Sequence, residues 1–305
     1  SAIIQQCAGT IYRSSKDYTT ALKIYKKLKE DHPDFKKEQI FLTMSQLYSY
    51  LMDWEKCGEL VSYFEDKKIE SLPDHAVNFS VYYALTNQKS KIKKLIKDYQ
   101  KSIDQNDWTH KVQEGVIYGR AGDYENAVKS LEIGYDLCKH KYPWPGVLLS
   151  IQLLHIKDYD RAVKISKKNL DELGKMKDLV WYENIKIMHN CIKGLVYIQE
   201  GDLENAYVTI SEIRKMDVEF KEDTLYVLSF LYFALGNVDE GYKYLDEYKE
   251  IQGLSGMIDN NQEMFTEPLW KNARTSPKFI EYLKEFKLYD FWKDDPEIKK
   301  LEKGK

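Results

Sequence analysis

The 305-residue sequence lacks the features that would place it in several common classes. No apolar run approaches the length of a bilayer-spanning helix, and no basic leader followed by an apolar core opens the chain, so membrane insertion is not expected. Four cysteines, Cys7, Cys57, Cys138 and Cys191, stand far apart, with no CxxC pair and no Cys/His cluster at metal spacing. No metal or cofactor is therefore expected. Reduced thiols in a cytoplasmic protein fit this pattern, although a secreted protein with free cysteines would look the same. There is no Gly-rich phosphate loop, no GxSxG, no HExxH and no EF-hand loop, so no catalytic residue is assigned and the chain is read as non-enzymatic. Forty-six basic against 49 acidic side chains leave a formal charge of −3, which exerts no global pull toward nucleic acid or anionic lipid. With only 15 Gly and 7 Pro, and with 43% hydrophobic and 31% charged residues, the composition suits a helical protein with ample core.

What is present is a repeat. The stretch from Gly115 to Ala127, GVIYGRAGDYENA, reads as two helices packed face to face. Gly115 permits close approach, Tyr118 fills the space beside it, Gly122 and Asp123 stop one helix and cap the next, and Ala127 is the matching small contact. The small and aromatic pair recurs as Gly9/Tyr12, Ser45/Tyr48, Ser80/Tyr83, Ser150/Leu153, Gly194/Tyr197 and Ser229/Tyr232. The facing column is Ala21, Cys57, Ile92, Ala127, Ala162, Ala206 and Gly241, at steps of 36, 35, 35, 35, 44 and 35 residues. Two columns on one beat identify stacked supersecondary units. Many of the 24 Tyr fall at fixed repeat positions, which reads as helix packing.

The first unit carries Gly9 and Tyr12, the Lys16-Asp17-Tyr18 turn, then Ala21, Tyr25 and Leu28, and closes at Pro33. This resembles the tetratricopeptide repeat, with Lys16 and Leu28 as departures. The resemblance implies an all-α, right-handed superhelical solenoid of about seven helical hairpins with a C-terminal helical cap. The units lie near 2–35, 37–70, 72–105, 107–140, 143–174, 178–215 and 221–249, and residues 250–305 form a linker and capping helices. The third turn, Asn87-Gln88-Lys89 with Ile92 in place of Ala, predicts a looser contact or altered tilt. Pro143 and Pro145 predict no helix before Val147. The nine extra residues of the long step extend the sixth unit's first helix back to about Leu179 and make it the longest. Glu250 to Asn261, rich in Gly, Ser and Asn, reads as a flexible loop. The block EPLWKNARTSPKFIEYLKEFKLYDFWKDDPE, with helix starts at Pro268 and Pro277, resembles the ending of repeat regions attached to bacterial adenylate cyclases and winged-helix regulators. The chain opens inside an amphipathic helix, as a fragment of a longer protein would.

In this family the first helix of each hairpin lines a concave groove, and the resemblance assigns groove positions three before, one after and four after each small residue. These are polar in the first unit (Gln6, Thr10, Arg13) and increasingly apolar toward the end of the chain. The candidate peptide-binding residues are Val147, Ile151, Leu154, Leu195, Ile198, Tyr226, Phe230 and Phe233, with Trp144 between its two prolines as a further contact. An apolar peptide or amphipathic helix is the expected partner of such a groove. The competing expectation is that the chain's own segment after Gly253, with Met257, Met264, Phe265 and Trp270, folds back and fills it. His110 and Glu114, one helical turn apart, read as a surface pair. The lysines at 89, 91, 93, 94, 97 and 101, and at 164, 167, 168, 175 and 177, read as solvated faces, so nucleic acid is not expected as a partner. The functional expectation is a non-catalytic protein-interaction scaffold. The alternatives are a regulatory repeat domain of a larger bacterial signalling or transcription-regulating protein, or an enzyme on a helical-repeat scaffold.

Overall fold

A computed structural model of the chain describes residues 1–67, 72–139, 141–174, 182–216, 221–260, 265 and 268–303. Fourteen helices form seven hairpins: α1 (Ala2–Ser14) with α2 (Tyr18–Asp31), α3 (Lys37–Tyr50) with α4 (Trp54–Lys67), α5 (Leu72–Leu85) with α6 (Lys89–Ser102), and α7 (Trp108–Arg120) with α8 (Tyr124–Leu137). They continue as α9 (Trp144–His155) with α10 (Tyr159–Gly174), α11 (Tyr182–Glu200) with α12 (Leu203–Arg214), and α13 (Lys221–Ala234) with α14 (Val238–Asn260). A 3-10 turn (Pro268–Trp270) and four short helices follow, α15 (Lys271–Arg274), α16 (Pro277–Glu285), α17 (Tyr289–Trp292) and α18 (Pro296–Lys303). From α3 onward, each first helix packs against the first helix of the next hairpin, and each second helix through α12 packs back onto the hairpin that follows it. The chain is an all-α repeat solenoid.

All seven hairpin turns are built alike. Each places one residue in left-handed backbone, namely Lys16, Met52, Asn87, Gly122, Lys157, Gly201 and Gly236. The N–H of the following residue then reaches back to the helix: Asp17 to Tyr12 O at 3.0 Å, Asp53 to Tyr48 O at 2.9 Å, Gln88 to Tyr83 O at 2.6 Å, Asp123 to Tyr118 O at 3.0 Å, Asp158 to Leu153 O at 3.0 Å, Asp202 to Tyr197 O at 2.8 Å and Asn237 to Tyr232 O at 2.9 Å. This satisfies carbonyls that the helix end would leave without partners. In five turns the same Asp or Asn side chain accepts from an N–H three residues on and so caps the second helix. The third turn has no side-chain cap, yet Asn87 supplies the same left-handed step and Ile92 is fully buried. The backbone therefore makes up for the missing cap residue.

The small column lies inside the hairpins. A Cβ on Gly115 would sit 2.5 Å from Leu131 Cγ and 3.0 Å from Ala127 O of its own hairpin, and one on Gly194 would sit 3.5 Å from Thr209 Cγ2 of its own hairpin and 2.9 Å from Leu231 Cδ2 of the next. Where the column is serine, the buried hydroxyl donates to its own helix: Ser45 to Leu42 O, Ser80 to Val77 O, Ser150 to Gly146 O and Ser229 to Tyr226 O. The tyrosine column faces the second helix of the preceding hairpin. Tyr83 Oη donates to Glu65, Gln100 donates to Tyr118 Oη and Arg214 to Tyr232 Oη, each pair 18 residues apart. Lys26 stands 5.4 Å from the Tyr48 ring. Tyr12, for which the described chain offers no such helix, is 41% exposed.

Two expectations need correction. The helix at the paired prolines starts at Trp144, because a proline in the first turn removes an N–H that has no helical partner anyway. The segment 250–260 is helical instead of a loop, its only non-helical residue being Gly253 (φ 66°, ψ 173°); Asn261 lies outside the described residues. The 19-residue α11 (Tyr182–Glu200) is the longest unbroken helix described, and Leu179 lies outside the described residues.

The C-terminal helices do more than cover the last hairpin. They pack on α14, where Tyr242 Oη donates to Ala273 O at 2.8 Å and Asp246 accepts from Lys278 and Tyr282. They also meet the turn edge of the second and third hairpins: Trp54 Nε1 donates to Phe286 O at 2.8 Å and Trp292 Nε1 to Leu85 O at 2.7 Å. The last hairpin is thereby tied to the first ones through a core of Phe265, Phe279, Tyr282 and Phe286.

The seam geometry gives a first test. Gly115→Ala should lower the unfolding free energy by about 1–3 kcal/mol in urea denaturation, because the overpacking against Leu131 outweighs the better helix propensity of alanine.

Candidate interaction surface

The inner faces of the first helices form a hollow, and the nine residues assigned to it fare differently. Val147, Leu154 and Leu195 are buried within the stack. Val147 packs with Ile185, with Ile151 and Met188 beside them. Consecutive first helices touch directly, so positions that a lone hairpin would turn to the hollow are consumed in the contacts of α9 with α11 and of α11 with α13. Ile151, Ile198 and Tyr226 are half-buried and Trp144 is exposed. Phe230 and Phe233 are not accessible. Trp270 stacks on Phe230 with ring centres 4.8 Å apart and an interplanar angle of 6°, and it also lies 5.5 Å from Phe233 and 5.4 Å from Tyr226.

The chain's own C-terminal segment therefore fills this end of the hollow. Met257, Phe265 and Trp270 are each no more than 2% exposed, while Met264 lies outside the described residues. An aromatic face of this size is stabilised most by a flat partner that excludes water, and the indole supplies one intramolecularly.

The other end of the hollow is polar. Arg13 Nη1 donates to Gln46 Oε1 at 3.3 Å, and Arg120 Nη1 donates to Val77 O at 3.1 Å and to Ser80 Oγ at 2.8 Å. Between α3 and α5 a cavity of about 120 Å³ is lined by Gln46, Ser49, Asn78, Val81 and Arg120 and is closed by Ile258 from α14. Sequence reasoning missed Arg120, since it falls one position beyond the assigned columns. The stacked Trp108 and Tyr142 rings, 4.9 Å apart, were missed because their pairing joins two different units.

Among the described residues no arrangement suited to catalysis emerges. His110 and Glu114 do not act together: His110 Nδ1 accepts from Asp104 N, while Glu114 is buried against Lys111 and Gln100. Ser166 Oγ contacts His189 Nδ1, and burial, reinforced by Lys193, pushes the imidazole pKa down. Ser166, however, is buried, out of reach of a substrate. Burial also pushes the Cys57 and Cys191 thiols up to about 12, which leaves them unreactive. Among the described residues no group of three His, Cys, Asp or Glu could hold a metal ion, and no helix is long and apolar enough to cross a membrane. The six lysines of α6 are all exposed, as are Lys164, Lys167 and Lys168; Lys175 and Lys177 lie outside the described residues.

Residues 8–34 match the sequence model of the tetratricopeptide repeat. A tetratricopeptide-repeat protein from Parabacteroides merdae superposes with a TM-score of 0.57 at 11% identity, over 89% of this chain and 98% of that one. The fold is that of a tetratricopeptide-repeat solenoid. The apo form of RapI is similar as well, with a TM-score of 0.50 at 12% identity, over 99% of this chain and 94% of that one. Among curated proteins none matches the sequence. A tetratricopeptide-repeat solenoid suggests a protein-interaction scaffold, typically non-catalytic, because stacked hairpins expose an extended concave surface to protein partners.

Two measurements test this geometry. Trp270→Ala should cost about 3–5 kcal/mol of stability in chemical denaturation, as removal of a buried indole does. Asp223, near the Gln252–Glu222 contact, has its carboxyl pushed up to about 6 by burial and by neighbouring Glu222, with the Asn184 hydrogen bond opposing. The folded state thus holds this proton more tightly than the unfolded chain, so the Asp223 contribution favours folding at low pH and is lost as pH rises from about 4 to about 6. Asp223→Asn should therefore raise stability at pH 7 and flatten its pH dependence across that window.

Proposed function

We propose that this protein is a non-catalytic interaction scaffold that binds an apolar peptide or amphipathic helix of a partner protein along the inner face of its first helices. The observation that carries this reading is the row of half-buried aliphatic side chains on successive first helices: Val116 on α7, Ile151 on α9 and Ile198 on α11. A preformed surface of this kind gains affinity from desolvation at little ordering cost, while the polar groups at Arg13, Gln46 and Arg120 fix register. Four free thiols, three of them buried, fit the cytoplasmic setting inferred from the sequence.

The binding face is identified by photo-crosslinking from Ile151 and Ile198, with Lys129 on the opposite, exposed side of the stack as control. Partner crosslinks should form at the two hollow positions and not at Lys129. The Ile151→Asp, Ile198→Asp double variant should weaken partner binding tenfold or more, about the 1.4 kcal/mol or more that loss of two apolar contacts implies, with the helical circular-dichroism signal retained. Undiminished binding by a folded double variant sinks the hollow as the site.

A further inference from the structure

Gly253 and the cavity between α3 and α5 are parts of one device. Gly253, at φ 66° and ψ 173°, occupies backbone space that only glycine enters at low cost. A Cβ built there would meet nothing within 4 Å, so conformation and not lack of space calls for glycine. The residues on both sides are helical. If Gly253 took helical angles, α14 would run straight and the turn at 254–260 would leave the hollow. In the bent state Met257 and Ile258 are 2% and 1% exposed, Ser255 Oγ donates to Tyr50 O at 2.8 Å, and Ile258 closes the 120 Å³ cavity. The cavity wall is mixed, with Gln46, Ser49 and Asn78 beside Val61, Val77 and Val81, and the half-buried Asn78 carboxamide has no hydrogen-bond partner among the described residues. An apolar cover matches the apolar part of this wall and makes no hydrogen bond to its polar part. The capping helices are held separately, through Tyr242 to Ala273 O and Lys249 to Glu285, so movement at 254–260 does not require the cap to leave α14.

We propose that the helical turn 254–260 is a lid hinged at Gly253, and that the cavity it covers receives a partner peptide, a branched aliphatic side chain replacing Ile258 and a backbone amide meeting Asn78. The peptide half of this rests on the hollow being the binding side; the lid half does not. Cys57 lines the cavity at 3% exposure, whereas Cys138 and Cys191 are buried elsewhere in the stack and serve as internal references. In Gly253→Ala, iodoacetamide labelling of Cys57, followed by peptide mass spectrometry, should accelerate about fivefold to a hundredfold, the range set by the cost of a non-glycine residue in this backbone region. Labelling of Cys138 and Cys191 should stay unchanged. Unchanged Cys57 labelling overturns the lid, and so does equal acceleration at all three cysteines, which would make the turn part of the global core. Ser255→Ala, with the hinge intact, should accelerate Cys57 labelling by a smaller factor, and no effect there also counts against the lid. For the peptide half, the blocked peptide Leu254–Asn260 of this chain is the probe. It should slow Cys57 labelling in Gly253→Ala in proportion to its occupancy, and Asn78→Leu in that background should abolish the protection. Absence of protection in a Gly253→Ala protein that labels fast overturns the peptide site while leaving the lid standing.

Discussion

The close approach of two helices within each hairpin is the constraint from which the remaining architecture follows. At Gly115 the partner helix lies so near that even a methyl group would collide with Leu131. That approach is possible only because the preceding helix ends abruptly, with a left-handed residue and a backbone hydrogen bond that consumes a terminal carbonyl. One hairpin cannot bury the surface that this geometry leaves, so the next must stack on it, and the tyrosine column becomes the seam between them. Tyr83, Tyr118 and Tyr232 each find a polar partner 18 residues back, which keeps their hydroxyls satisfied in a largely apolar interface.

Stacking produces a hollow, and the chain treats its two ends differently. At the C-terminal end, where the aromatic side chains of α13 would otherwise face water, Trp270 occupies the space. At the N-terminal end the wall mixes polar and apolar residues, and the short turn after Gly253 lies over it. Between them, α7, α9 and α11 retain half-exposed aliphatic residues. The capping helices fasten the last hairpin to the second and third through the indole nitrogens of Trp54 and Trp292. Each of these donates to a backbone carbonyl in a buried setting where an unmade hydrogen bond is costly, and this resists the unwinding open to an untied solenoid.

The repeat, the helix pairs and the turn positions were legible in the sequence because they depend on contacts within about 35 residues, where a small residue, a tyrosine and a Gly-Asp step recur at fixed spacing. Even the third turn, whose Asn87-Gln88 lacks the usual chemistry, keeps its shape. Reading the groove was harder. Column counting treated Val147, Leu154 and Leu195 as facing the hollow, although the direct contact of neighbouring first helices buries them. It also took Glu250–Asn261 for a loop, because Gly253, Ser255 and Gly256 look like breakers when only their identities are known.

By itself, then, the sequence determined the period, the all-α class, the seam columns and the possibility that residues beyond Gly253 would turn back on the stack. Tertiary structure alone decided that Trp270 lies on Phe230, that Ile258 closes a cavity some 200 residues upstream, and that the capping helices reach the first turns. Local pattern encodes which face of a helix is apolar. It carries no information on which of several apolar segments will cover that face, because this depends on the accumulated rotation of seven hairpins and on where that rotation brings the two ends of the chain together.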